Sequence, residues 1–107
     1  MPRDDAARIR DIMDAASRIH GKVSELDQSA FAANDTLVRA VLYDLAVIGE
    51  AAKGVTEATR SRMPSVPWSD MAGMRDVVVH QYFGIDAALV WRAASVSVPK
   101  LLAALGS

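Results

Sequence analysis

Apolar side chains recur along the chain at intervals of three and four residues, the spacing that puts them on one face of an α-helix. From Asp4 to about His20 they are Ile9, Ile12, Met13, Ala16 and Ile19, with Arg8, Arg10, Asp11, Asp14 and Arg18 elsewhere on the wheel. Asp4 and Asp5 suit the positive end of this helix and Gly21 offers a C-cap. A connection over 21–33 follows, with a helical turn expected near Ser29. Asn34 or Asp35 can cap a second helix reaching to about Ala58, with Leu37, Val38, Val41, Leu42, Leu45 and Ile48 on a broad apolar face. Gly49 interrupts that face, at a cost of roughly 0.5–1 kcal/mol relative to Ala. A neighbouring helix approaching closely would offset it. Gly73 raises the same expectation.

Pro64 implies a loop over Thr59–Val66, and Pro67 fits the first turn of a third helix with Trp68, Met71, Met74 and Val78 at helical spacing. These four read as core rather than as a base-stacking surface. Val77, Val78 and Val79 favour a strand by propensity, but a lone strand in a helical chain has no partner, so the expectation is helix. Gly84 breaks the run. Asp86 can cap a fourth helix, Ala87 to about Val96, and Pro99 opens a short last one carrying Leu101, Leu102 and Leu105. The pattern predicts an all-α fold over residues 1–107, a single domain. Its architecture is an antiparallel up-and-down bundle of four main helices plus a short fifth at the C-terminus.

Composition narrows the setting. The chain has 107 residues, 51% of them hydrophobic and many of these Ala, which favours close-packed helices and a buried subunit interface. No uninterrupted apolar run approaches the ~20 residues of a membrane span, and Met-Pro-Arg-Asp-Asp is not a signal peptide, so a cytoplasmic protein with no membrane association is the expectation. With no Cys there is neither a disulfide framework nor a thiolate metal site. A net charge of −1 argues against gripping nucleic acid through bulk electrostatics, so any action on nucleic acid rests on a local site.

That local site is Met74–Asp86, where Arg75, Asp76, His80 and Tyr82 crowd into about two helical turns. Asp76 and His80 are four apart on one face, so the carboxylate could hold one imidazole nitrogen. Arg75 and His80 are five apart, about 140° around the axis, and flank one groove. An Arg beside a His suits a phosphate: the guanidinium grips two oxygens and the imidazole moves a proton near neutral pH. Cleavage by a neighbouring 2′-OH needs a base, an acid and positive charge at the transition state. One chain offers a single convincing His for the two proton transfers, so a twofold homodimer supplying two His80 and two Arg75 is expected. The carboxylates and His80 show no metal-ligand spacing, and no cofactor is expected. Glu50 can face solvent or the Arg75 side of the site. His20, in the last turn of its helix, reads as a charge suited to that end.

The string Arg75-x4-His80-x-Tyr82, flanked by Gly73-Met74 and Phe83-Gly84-Ile85-Asp86, with Ile48-Gly49-Glu50-Ala51-Ala52-Lys53 upstream and Pro67-Trp68 between, resembles the HepT-like toxins of the HEPN superfamily. The resemblance runs from about Leu37 to Trp91, the first thirty residues sharing only helical character. It implies the toxin of a type VII-like toxin–antitoxin system, a metal-independent endoribonuclease whose Arg and His line a cleft between two subunits. Arg75 would then bind phosphate and stabilise the transition state, His80 would be the general acid or base, and Asp76 and Glu50 would support them. The implied partners are RNA and a minimal nucleotidyltransferase antitoxin, which transfers AMP to the Tyr82 hydroxyl, in a dimer or a larger hetero-oligomer. Added AMP would bring bulk and negative charge into a cleft meant for RNA phosphate. Asp76 stands where a neutral Asn is common, and its carboxylate both favours protonated His80 and competes with phosphate for Arg75. Two other readings of the same residues are a non-catalytic helical module that presents or regulates a nucleotidyltransferase, and a purely structural ion-pair network in a dimeric bundle.

Overall fold

The first helix, α1, runs over Asp5–Val23 and passes straight through Gly21 instead of ending there. Its buried stripe explains why: Ile12, Ala16, Ile19 and Val23 all face the core, and burying Val23 outweighs the cost of a helical Gly. Asp4 caps its start, accepting from the Ala7 N–H at 2.7 Å. The computed structural model describes residues 3–81 and 84–106. Among these the fold is all-α with no strand, as the periodicity predicts.

A short α2, Gln28–Ala32, supplies the helical turn expected near Ser29 and buries Phe31. The Phe31 ring lies 5.3 Å from that of Trp91 at 46°, a tilted aromatic pair. The central helix α3 spans Asp35–Gly54 and is capped by Asn34, which accepts from the Leu37 N–H at 3.0 Å. It stops four residues short of Ala58. Val55 turns extended, and Arg8 Nη1 donates to the Gly54 carbonyl at 2.8 Å, satisfying a group the helix end leaves open. Thr56 then caps α4, Glu57–Arg62, so half of the loop expected over Thr59–Val66 is helical.

Helix α5, Trp68–Val79, begins just after Pro67, which sits at the cap rather than inside the first turn. The three valines are helical: with no strand to pair with, burial of Met71 and Met74 on the same helix overrides their propensity. Beyond Gly84, Asp86 caps α6, Ala87–Arg92, accepting from the Ala88 and Leu89 N–H groups. A widened π turn over Ala93–Ser97 leads directly into the short α7, Val98–Ala104, with Pro99 in its first turn as expected. The wide turn falls where Pro99 has no N–H for the Ser95 carbonyl, and the chain absorbs the defect by opening one turn. The resulting helical stretch Ala87–Ala104 has 18 residues at mean hydropathy 1.2, long and apolar enough on those two grounds to cross a membrane. Here its apolar side, Val90, Ala94, Val98 and Leu101, is part of the bundle core. Thus α1, α3, α5 and the fused α6–α7 stretch are the four main helices. The short additional ones are α2 and α4, with α7 the short C-terminal segment expected after Pro99.

Paired contacts set the register of α1 against α3. Arg8 meets Gly54 and Arg18 meets Asp44, so the two helices run antiparallel. Arg18 donates from Nε and Nη2 to Asp44 Oδ1 at 3.1 and 3.0 Å, and Asp44 is buried while Arg18 is half exposed. The asymmetry makes a prediction. Arg18→Met keeps the aliphatic stem but strands a buried carboxylate, and is expected to cost about 2–3 kcal/mol. Asp44→Asn keeps an acceptor for an Arg that water already reaches, and should cost less. Thermal melts of the two variants check the order.

The corner between α3 and α4 is fastened to α1 by Asp5. Its carboxylate accepts from the Thr56 N–H at 3.0 Å, the Thr56 hydroxyl at 2.5 Å and the Thr59 hydroxyl at 2.6 Å. These bonds to the charged form, the Thr56 hydroxyl first, then the Thr59 hydroxyl and the Thr56 amide, lower its pKa from 3.8 to about 2. A depressed folded pKa means the contribution is complete above the unfolded value and is lost as pH falls through the folded one. The stability difference between wild type and Asp5→Asn is therefore expected to be constant above about pH 5 and to shrink between about pH 4 and pH 2. Melting temperatures across that range test it.

Candidate functional site

The site is built where α3 crosses α5. Gly49 is buried there, and a Cβ on it would lie 2.7 Å from the Arg75 backbone nitrogen and 2.8 Å from Arg75 Cβ. The close approach expected of Gly49 is thus made within one chain, against the turn that carries Arg75. Gly73 marks no such approach, since a Cβ on it would meet nothing within 4 Å. Met71 and Met74 pin the inner face of α5 in the core, which turns Arg75 and Asp76 to solvent.

Glu50, one residue past the crossing, faces the Arg75 side. Its Oε1 is 2.6 Å from Arg75 Nε, with the two side chains 60% and 49% exposed. An exposed pair of this kind contributes only about 0–1 kcal/mol to stability. The contact uses the Nε edge of the guanidinium, which leaves the Nη fork available to a planar anion.

His80 is the residue on which α5 ends; its backbone N–H donates to the Asp76 carbonyl at 3.1 Å, and its side chain is exposed. Five residues of helical rise put it about 7.5 Å along the axis from Arg75. Asp76 is also exposed. Among the described residues its carboxylate forms neither a hydrogen bond nor an ion pair with His80, so the Asp–His contact allowed by their spacing is not made. Tyr82 lies outside the described residues.

Gln81 carries no motif, yet it is buried and ties the end of α5 to the start of α6. Its Nε2 donates to the Val77 carbonyl at 3.0 Å, and its Oε1 accepts the Asp86 N–H at 2.5 Å. Nothing in residue spacing signals this, because an amide next to a His is as often surface as bridge.

A groove of about 360 Å³ between α1 and α3 adjoins the site, sharing Glu50 and walled by Tyr43, Ala46 and Val47, with Arg3 and Arg8 across from them. Tyr43 is 68% exposed there. Among the described residues, no three His, Cys, Asp or Glu side chains come together as metal ligands.

An Arg whose fork is open, an exposed His one and a half turns on, and a carboxylate bound to the Arg form a set suited to a phosphodiester. The family described as Ribonuclease HepT-like matches residues 12–107. The chain belongs to the HepT-like ribonuclease family. The likeness reaches much further than the motif-bearing half, taking in most of α1 as well. The chain is 35% identical over 99 residues to "Putative RNase MJ1380" of Methanocaldococcus jannaschii, covering 92% of this chain and 91% of that protein. It is 32% identical over 101 residues to "Probable ribonuclease HepT" of Thermococcus cleftensis, covering 94% and 92%. A third relative, "Putative RNase TTE0752" of Caldanaerobacter subterraneus, is 34% identical over 80 residues, covering 75% and 71%. No solved structure matches the chain.

Proposed function

We propose that this HepT-like ribonuclease is an RNA endonuclease that cuts by attack of a 2′-hydroxyl on the adjoining phosphodiester, without a metal ion. Membership of a ribonuclease family supports the enzyme class and the substrate. The observation that carries the site is Arg75. Its helix is fixed by backbone contact at Gly49, its Nε is held by Glu50, and its Nη fork faces solvent on the helix that His80 ends. Arg75 grips the phosphate and stabilises the charge that builds on it, and His80 transfers a proton.

The working unit is a homodimer in which the two α5 helices line one cleft, each subunit contributing Arg75 and His80. The exposed Tyr43 on α3 and Val79 on α5, apolar side chains flanking the Arg75 strip, support a contact between copies on this side. In the cell, we assign the chain as the toxin of a cytoplasmic toxin–antitoxin pair. A nucleotidyltransferase antitoxin silences it by placing AMP on Tyr82, whose added phosphate competes with RNA phosphate for Arg75. Toxin and antitoxin can assemble further into a hetero-oligomer.

The test is cleavage of RNA by purified, unmodified protein in EDTA, with His80→Ala alongside. Cleavage by wild type alone is the expected result. No cleavage by either protein would overturn the nuclease assignment in favour of a helical module that binds and regulates its partner.

A further inference from the structure

Cleavage by a 2′-hydroxyl requires a proton acceptor for that hydroxyl and a proton donor for the departing 5′-oxygen. His80 can do one of these at a time, and a second His80 would have to come from another subunit. The α3–α5 crossing places a different group beside the phosphate site in the same chain. We propose that Glu50 is the general base that accepts the 2′-hydroxyl proton, leaving His80 as the general acid. This rests on the reading of Arg75 and His80 as a ribonuclease site.

The geometry of the guanidinium is the main argument. Glu50 Oε1 holds Nε at 2.6 Å, and Arg75 has no other ion pair among the described residues. A phosphodiester can therefore take the Nη fork while Glu50 keeps Nε. Arg75 then bridges carboxylate and phosphate, setting the carboxylate next to the ribose whose 2′-hydroxyl must be deprotonated. The positive charge between them offsets their repulsion. Glu50 is 60% exposed, so substrate can reach it.

Two plainer roles are weaker. As a structural strut an exposed pair adds little, at a crossing that Gly49 and the buried Ile48, Met71 and Met74 already fix. As a stand-in for phosphate, Glu50 would have to leave the guanidinium, yet it occupies an edge that a phosphate on the fork does not need.

The step balances as follows. The 2′-hydroxyl proton passes to Glu50, and the 2′-oxygen bonds to phosphorus. The bond from phosphorus to the 5′-oxygen breaks, and that oxygen takes a proton from the His80 imidazolium. The products are a 2′,3′-cyclic phosphate and a 5′-hydroxyl. Protonated Glu50 and neutral His80 are reset by exchange with water.

Glu50→Gln is the decisive variant, because it keeps the size of the side chain beside Arg75 Nε and removes the carboxylate that would accept the proton. In single-turnover assays on full-length protein, its cleavage rate is expected to fall about 10²–10⁴-fold, with RNA affinity within a few-fold of wild type. A second substrate, the same RNA with sulfur replacing the bridging 5′-oxygen at the cut bond, has a leaving group that needs no acid. It should restore cleavage by His80→Ala and leave Glu50→Gln slow. Cleavage by Glu50→Gln at or above the wild-type rate overturns the proposal while leaving the ribonuclease reading intact. Sulfur rescue of Glu50→Gln overturns it as well, by making Glu50 the acid. Wild type that cuts neither RNA overturns the ribonuclease reading and this proposal with it.

Discussion

His80→Ala is expected to lower the RNA cleavage rate by about 10²–10⁴-fold, the range lost when a positioned proton-transfer group is removed. The fold should not notice. His80 is exposed at the end of α5, and its cap bond to the Asp76 carbonyl is made by backbone, which Ala retains. Substitutions at such surface positions usually stay within about 0.5 kcal/mol of wild type. Loss of activity with an unchanged melting temperature therefore isolates the chemistry. RNA binding should persist, because Arg75 keeps its place through Gly49 and Glu50, one turn and a half away. An active His80→Ala enzyme, measured in EDTA on protein purified without its partner, would remove the imidazole from the mechanism.

Gly49→Ala sets two effects of opposite sign against each other. In a helix interior Ala is favoured over Gly by about 0.8–1 kcal/mol. The added methyl, however, would sit 2.7 Å from the Arg75 backbone nitrogen and 2.8 Å from its Cβ. Neither atom can swing away as the far end of a side chain would, so α5 must shift as a unit. Overpacking of this kind costs about 1–3 kcal/mol. The net expectation is a destabilised protein. Activity should fall further than stability, because the displaced turn carries Arg75 away from Glu50. Gly54→Ala is the contrasting case: its methyl would meet the guanidinium end of Arg8, a flexible side chain that can move at the cost of its bond to the Gly54 carbonyl, away from the Arg75 turn. A stabilised and fully active Gly49→Ala protein would show that the crossing tolerates a side chain and that Gly49 is not what positions Arg75.

The all-helical class, the apolar faces and most of the caps were legible in the chain. Periodicity and capping chemistry are local: Asp4, Asn34 and Asp86 each bond to a backbone amide two or three residues ahead, and each acts as its residue type implies. The motif around Arg75 and His80 was legible for the same reason, since its spacing lies within one helix. Helix ends were less so. Whether α1 passes Gly21 and whether α3 stops at Gly54 are decided by partners far away in sequence. Val23 finds the core, and Arg8 reaches the Gly54 carbonyl from another helix. The sequence by itself therefore determined the all-helical class, the family and the spacing of the Arg75–His80 motif. Only the tertiary structure decided that Glu50 faces Arg75, that Gly49 is the crossing, and that Gln81 and Asp44 are buried and bonded. Those facts depend on which helix faces which, and burial and contact across helices leave no periodic trace in any one of them.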